Sequence, residues 1–192
     1  IADNQTGGPV TGRVSVAVNE FGNRFLQYSE GPGQVGTGTV IWDGAQASDS
    51  LDPSDSPGGV DTSPGLGGED LTSGGLNTGL VLRINADKAY TLMIKMWDTT
   101  GNEVTQTRNI AQSPNTGTFE RYGFYFGDFV GDSIDLADIS AIGMEIQGVS
   151  ELQTRMSFVK ATVVPLPASA LLLLGGLGGL GFLGWRRKPA AA

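Results

Sequence analysis

Residues 89–98 read AYTLMIKMWD, and the alternation in them decides the fold class. Tyr90, Leu92, Ile94 and Met96 fall on one side of an extended chain, with Lys95 and Trp97 on the other. That is a period of two, which suits a strand with one buried face and not a helix. The period recurs outward in both directions. Val14, Val16 and Val18 alternate with Arg13, Ser15 and Ala17, and Ile142, Met144 and Ile146 alternate with Gly143, Glu145 and Gln147. Near the end, Met156, Phe158 and Val164 share one phase and Val159 and Val163 the other. Further β-rich runs at 24–28, 38–42, 79–85, 102–109 and 118–126 are bounded by Gly, Asn or Pro. About nine short strands with frequent turn signals predict an all-β fold over 1–163, a Gly-rich β-sandwich of jelly-roll type.

Two segments break the pattern. Residues 135–141, DLADISA, show helical spacing with Leu136, Ala137 and Ile139 as the apolar side, which predicts one or two helical turns. Residues 44–78 are rich in Gly, Ser, Asp and Pro without an aromatic side chain, so neither strand nor helix is expected there. Loops of that length in compact domains are usually functional or mobile.

Composition narrows the chemistry. The 192 residues allow one domain with a sizeable core. Twelve Lys and Arg against 20 Asp and Glu give a net charge of −8. Arg186, Arg187 and Lys188 sit beyond the last acid, so residues 1–185 carry −11. Such a surface repels phosphates, and no nucleic-acid partner is expected. His and Cys are absent, which removes Ser-His-Asp and Cys-His nucleophile systems, thiolate chemistry, disulfides and nearly all zinc, copper or haem ligation.

The C-terminus carries a membrane signal. Residues 168–185, ASALLLLGGLGGLGFLGW, hold no charge over 18 positions. As a helix they would span roughly 27 Å, close to a bilayer's hydrocarbon core. Trp185 would lie at the interface, and Arg186, Arg187 and Lys188 would hold the 186–192 tail in the cytoplasm. The bulk of the chain is then periplasmic or extracellular. The first residue is Ile1, not Met, which fits removal of a signal peptide. Gly175, Gly178, Gly181 and Gly184, with Gly179 completing a GxxxG, form a smooth stripe on which a partner membrane helix could pack.

The run Val164-Pro165-Leu166-Pro167-Ala168, then the apolar span, then the basic cluster, resembles the VPLPA variant of the PEP-CTERM sorting signal. The resemblance implies an exported protein of a Gram-negative bacterium, with a temporary anchor that an exosortase cuts near the Pro motif of the 164–167 linker. Leu166 stands where the commoner motif has Glu, which leaves the processing enzyme open. Gly67-Gly68-Glu69-Asp70-Leu71 and Asp135-Leu136-Ala137-Asp138-Ile139 are also similar to small Gly-rich sandwich domains that accompany such tails.

Candidate sites are few. Asp49, Asp52, Asp55, Asp61, Glu69 and Asp70 share one Gly-rich region and are candidate calcium ligands, although the EF-hand order is missing. Otherwise they form a solvated acidic loop. Asp128, Asp132 and Asp135 are a second set of the same kind. For sugars, Trp97, Tyr122 and Tyr125 are the candidate binding surface, with Trp42 also available. Residues 118–126 put Phe119, Arg121 and Tyr125 on one face and Tyr122, Phe124 and Phe126 on the other. Gly31 to Gly36 match GxGxxG by letter, but the strand-like residues that follow offer no helix N-terminus to a pyrophosphate. No catalytic residue and no required cofactor is expected.

Two functional readings follow. In one, the chain is a non-enzymatic, exported sandwich with a structural or glycan-associated role at the surface or matrix. In the other, it is a permanent single-pass accessory subunit of a bacterial membrane complex, its sandwich capping the periplasmic face. An enzymatic reading survives only as a carboxylate hydrolase.

Overall fold

The computed structural model describes residues 2–4, 15–18, 25–44, 50–55, 58–115 and 117–162. Eleven strands are found there: β1 (Ala2–Asn4), β2 (Ser15–Val18), β3 (Phe25–Ser29), β4 (Thr37–Trp42), β5 (Gly79–Ala86), β6 (Tyr90–Asp98), β7 (Glu103–Ile110), β8 (Glu120–Tyr125), β9 (Val130–Gly131), β10 (Ile139–Gln147) and β11 (Gln153–Thr162). They form two sheets, in the orders β1-β4-β10-β6-β7-β9 and β2-β3-β11-β5-β8, with every strand pair antiparallel. The chain is an all-β sandwich.

The period-two reading explains which faces meet. In β6, Tyr90, Leu92, Ile94 and Met96 are buried. Their neighbours across the ladder, Ile142, Met144 and Ile146 of β10, point the same way and join the same core. From the second sheet, Leu80, Leu82 and Ile84 of β5, Phe124 of β8 and Met156 of β11 meet them. Each such side chain withdrawn from water contributes about 1.5–3 kcal/mol.

The 135–141 segment departs from the helical expectation. It is a turn at Leu136 and Ala137 followed by strand, since β10 begins at Ile139. The Asp135 carboxylate accepts a hydrogen bond from the Ala137 N–H at 2.9 Å, which stabilises the turn. Ile139, Ser140 and Ala141 are then all buried across a register shift in the β10–β6 ladder. Ser140 donates from its hydroxyl to the Asp98 carbonyl at 2.9 Å, so burial at this bulge leaves no stranded polar group. The apolar spacing that suggested a helix comes from a strand that is buried on both sides of one bulge.

Within 44–78, the described residues contain no named strand, yet they are fastened to the sandwich. Leu66 N–H donates to Ser140 O at 2.6 Å, Glu69 and Ile139 exchange backbone bonds at 2.8 and 3.0 Å, and Leu71 N–H donates to Leu136 O at 3.0 Å. Gly65 sits at φ +56°, with the Ser140 carbonyl where a Cβ would stand. Leu51 and Val60 cover one end of the first sheet's outer face, while Leu66 and Leu71 line an apolar cavity of about 300 Å³ at the end of the core. Four apolar residues among many polar ones are what seat this strap.

Among the described residues no helix is long and apolar enough to cross a membrane. The predicted span at 168–185, its glycine stripe, the 164–167 linker and the 186–192 tail lie outside those residues.

Candidate functional site

The acidic residues of the strap are engaged locally. Asp52 accepts from the Ser54 N–H and hydroxyl at 2.9 and 2.7 Å. Asp55 accepts from the Ser50 hydroxyl, and Asp61 from the Ser63 N–H at 2.9 Å. Glu69 takes part through its backbone in the bridge to Ile139. Asp70 accepts from the Thr72 hydroxyl at 2.6 Å and from three successive N–H groups, those of Thr72, Ser73 and Gly74. The Thr72 hydroxyl foremost, with those N–H groups, holds the Asp70 carboxyl below the usual carboxylate range. Asp49 lies outside the described residues. Asp132 accepts from the Glu103 N–H at 3.3 Å and Asp135 caps its own turn, while Asp128 stands exposed in the 3-10 turn Phe126–Asp128. Among the described residues no three carboxylates converge into a metal cage.

The aromatic candidates separate. Trp97 is 0% exposed, beneath the strap with Val60 and Ala141, and so offers no surface to a sugar. Tyr122 also departs from the expectation. It pairs with Leu82 on the core-facing side of β8, donates to Glu120 Oε2 at 3.1 Å and accepts from the Ala111 N–H at 3.2 Å. Burial, with the Glu120 bond second, raises its hydroxyl above the ordinary tyrosine value. Tyr125 stands on the opposite face, across from Gly79, and is half-buried.

That opposite face, the outer side of the second sheet, gathers what the sequence had scattered. Arg121 of β8 stands directly across from Arg83 of β5, and Arg83 across from Ser157 of β11. One step further along, Arg155 of β11 pairs with Asn85 on one side and Gln27 of β3 on the other. Arg83, Arg121 and Arg155 are all exposed. Phe119, in phase with Arg121, has the Arg83 guanidinium 5.7 Å from its ring centroid, within cation–π range. The Asn85 carboxamide faces away from ligand duty, since it donates to Asn115 O and Thr118 O at 3.2 and 2.7 Å and anchors that loop. Phe119, Arg121 and Tyr125 were legible as one face from period two alone. Arg83 and Arg155 were not, because only strand order reveals that β5 and β11 lie beside β8.

With two antiparallel sheets, the chain is an all-β sandwich, and three arginines stand on the outer face of one of them. The C-terminal residues 163–188 match the PEP-CTERM protein-sorting motif, so the chain carries that sorting signal. Among solved structures, an exo-beta-agarase is similar in fold, with a TM-score of 0.50, 12% identity, 86% of this chain covered and 23% of the agarase. A family 11 carbohydrate-binding module from Clostridium thermocellum, in complex with a beta-1,3-1,4-mixed-linked tetrasaccharide, gives a TM-score of 0.47 at 10% identity, covering 85% of this chain and 88% of the module. A family 30 module of a Clostridium thermocellum cellulosomal cellulase gives 0.46 at 9% identity, covering 86% and 92%. At 12% identity the likeness to the agarase is one of fold alone. No curated protein matches the chain.

Proposed function

We infer that this is an exported, non-enzymatic sandwich protein, sorted to the cell surface or extracellular matrix by its C-terminal motif and associated there with glycans. The observation that carries this reading is the junction between fold and signal. Strand β11 ends at Thr162, and the sorting motif begins at residue 163. A cut near Pro165–Ala168 therefore releases a sandwich with every described strand intact. Before the cut, the 168–185 span holds the chain in the inner membrane with Arg186, Arg187 and Lys188 inside. The processing partner is an exosortase-type protease.

The glycan association draws on the half-buried Tyr125, Phe119 and the exposed polar groups of the second sheet's outer face. The non-enzymatic part draws on the use of carboxylates such as Asp52, Asp70 and Asp135 as acceptors for turn N–H groups, which is structural work.

Polysaccharide extracted from the producing organism's own matrix and passed over the immobilised protein tests the association. Retention of sugar well above a blank surface is expected. Elution of all polysaccharide with the void, by a protein shown to be folded, removes the glycan role.

A further inference from the structure

We propose that the outer face of the β2-β3-β11-β5-β8 sheet binds acidic polysaccharide, a chain bearing sulfate or carboxylate groups, through Arg83, Arg121 and Arg155. This rests on the glycan reading above and names its ligand class.

The argument begins with a cost. Like charges directly opposite on neighbouring strands destabilise a sheet, and Arg121 faces Arg83 in that relation. Arg155 is diagonal to Arg83, with Cβ atoms roughly 7–8 Å apart in such positions. Among the described residues no carboxylate stands directly across from any of the three arginines. The positions directly across from them are Gln27, Asn85 and Ser157, with Val81 and Gly123 alongside. The nearest acid, Asp87, lies at the strand end opposite Gln153, diagonal to Arg155, and its carboxylate accepts from the Gln153 N–H at 2.7 Å. The ion pairs Lys88–Glu151 and Lys95–Glu103 lie elsewhere and leave these three arginines out.

The concentration of charge is also improbable as mere surface solvation. Only nine Lys and Arg precede residue 164, and three of them stand on adjacent strands of one face. The first sheet's outer face is different, because Lys95 there is matched by Glu103 at 2.8 Å and Glu145 lies in the same sheet. Basic charge has been segregated from a chain that is acidic as a whole.

Arginine's planar fork pairs two N–H groups with sulfate or carboxylate oxygens, which suits a ligand carrying such groups at intervals. Phe119, just before β8, and Tyr125, at its end, offer ring surfaces to the apolar sides of sugars, and the Gln27 carboxamide and Ser157 hydroxyl offer hydrogen bonds to sugar hydroxyls. A single polysaccharide strand can follow this strip, since the Asp-rich strap lies over the first sheet's outer face, on the other side of the sandwich.

The test uses the full chain in mild detergent with two matched probes, dextran sulfate and unmodified dextran, and the double variant Arg83→Gln with Arg121→Gln. Dextran sulfate should bind and dextran should not, and the double variant should weaken dextran sulfate binding by about tenfold or more. The variant's thermal midpoint should be equal to or above the parent's, since a repulsive pair has been removed. Arg83→Lys with Arg121→Lys should recover part of the affinity, because charge returns without the fork.

Unchanged dextran sulfate binding in the double variant overturns the proposal. If matrix polysaccharide is retained equally by parent and variant, the ligand class fails while the glycan reading stands. If dextran sulfate binds but no matrix polysaccharide does, the glycan reading fails, and this proposal with it. Arginine-dependent binding to phosphatidylglycerol vesicles with dextran sulfate ignored assigns the face to a membrane and likewise overturns it.

Discussion

Replacing Trp97 with alanine should cost about 3–5 kcal/mol of stability, the usual range for a large aromatic cut out of a packed site. The indole lies on the outer side of the first sheet, where strands normally meet water, yet it is fully buried. Leu51 and Val60 of the strap lie over it and Ala141 beside it. Gly143 lies beneath, and a Cβ there would press on the ring at 3.2 Å. The indole N–H donates to Glu103 Oε2 at 3.2 Å, and Lys95 Nζ stands 5.0 Å from the ring centroid while pairing with the same Glu103 at 2.8 Å. Truncation therefore opens a cavity, frees a carboxylate–ammonium pair to solvent and unseats the strap together. At about 2–4 °C per kcal/mol for a domain of this size, the thermal midpoint should fall by roughly 8–15 °C. Cleavage within 50–60 by a nonspecific protease should quicken alongside. A melting point within about 2 °C of the parent would mean that the strap is held by its backbone bonds alone.

The second large effect concerns Asp98. Its side chain is 1% exposed and accepts five hydrogen bonds. They come from the Thr100 N–H and hydroxyl at 2.9 and 2.7 Å, the Asn102 N–H and carboxamide at 3.0 and 2.9 Å, and the Asp135 N–H at 3.1 Å. This one carboxylate closes the β6–β7 turn and ties it to the segment entering β10. Burial alone would raise its pKa, but the Thr100, Asn102 and Asp135 donors outweigh burial and hold the carboxyl well below the usual carboxylate range.

The sign of the linkage follows. A carboxyl whose folded value is depressed contributes its stability above the unfolded value, about 3.9, and loses it as pH falls from there toward the folded value. Asp98→Ala strands these donors and should cost about 3 kcal/mol at pH 7. In urea titrations the gap between parent and variant should narrow by about 1 kcal/mol between pH 5 and pH 3, because only the parent still has this proton to gain on unfolding. A gap that stays constant or widens toward acid would place the pH dependence in other carboxylates.

The sequence made the sandwich legible because alternation is a local signal. Each of the runs read as strands overlaps a strand of the structure across its described residues. Strands β1 and β9, of three and two residues, carry no alternation of their own and exist through pairing with β4 and β7. Tertiary burial defeated the pattern at two points. Trp97 occupies an outward phase that the strap covers, and Ile139 to Ala141 are buried on successive positions, which imitates a helix. The sorting motif was legible from its three ordered parts and is matched over 163–188. The arginine face was not legible, since Arg83, Arg121 and Arg155 are far apart in the chain and become neighbours only through the order β11-β5-β8.

A temporary anchor and a permanent one differ at a single bond, and intact mass reads that bond. The protein should be purified both from the native envelope, under mild detergent, and from the matrix around the cells, with co-purifying proteins identified in the same samples. A surface or matrix product whose chain ends near residue 165 is the outcome that sorting and release require. A chain found only at full length, migrating with a large membrane complex, would contradict release and make the tail a docking helix.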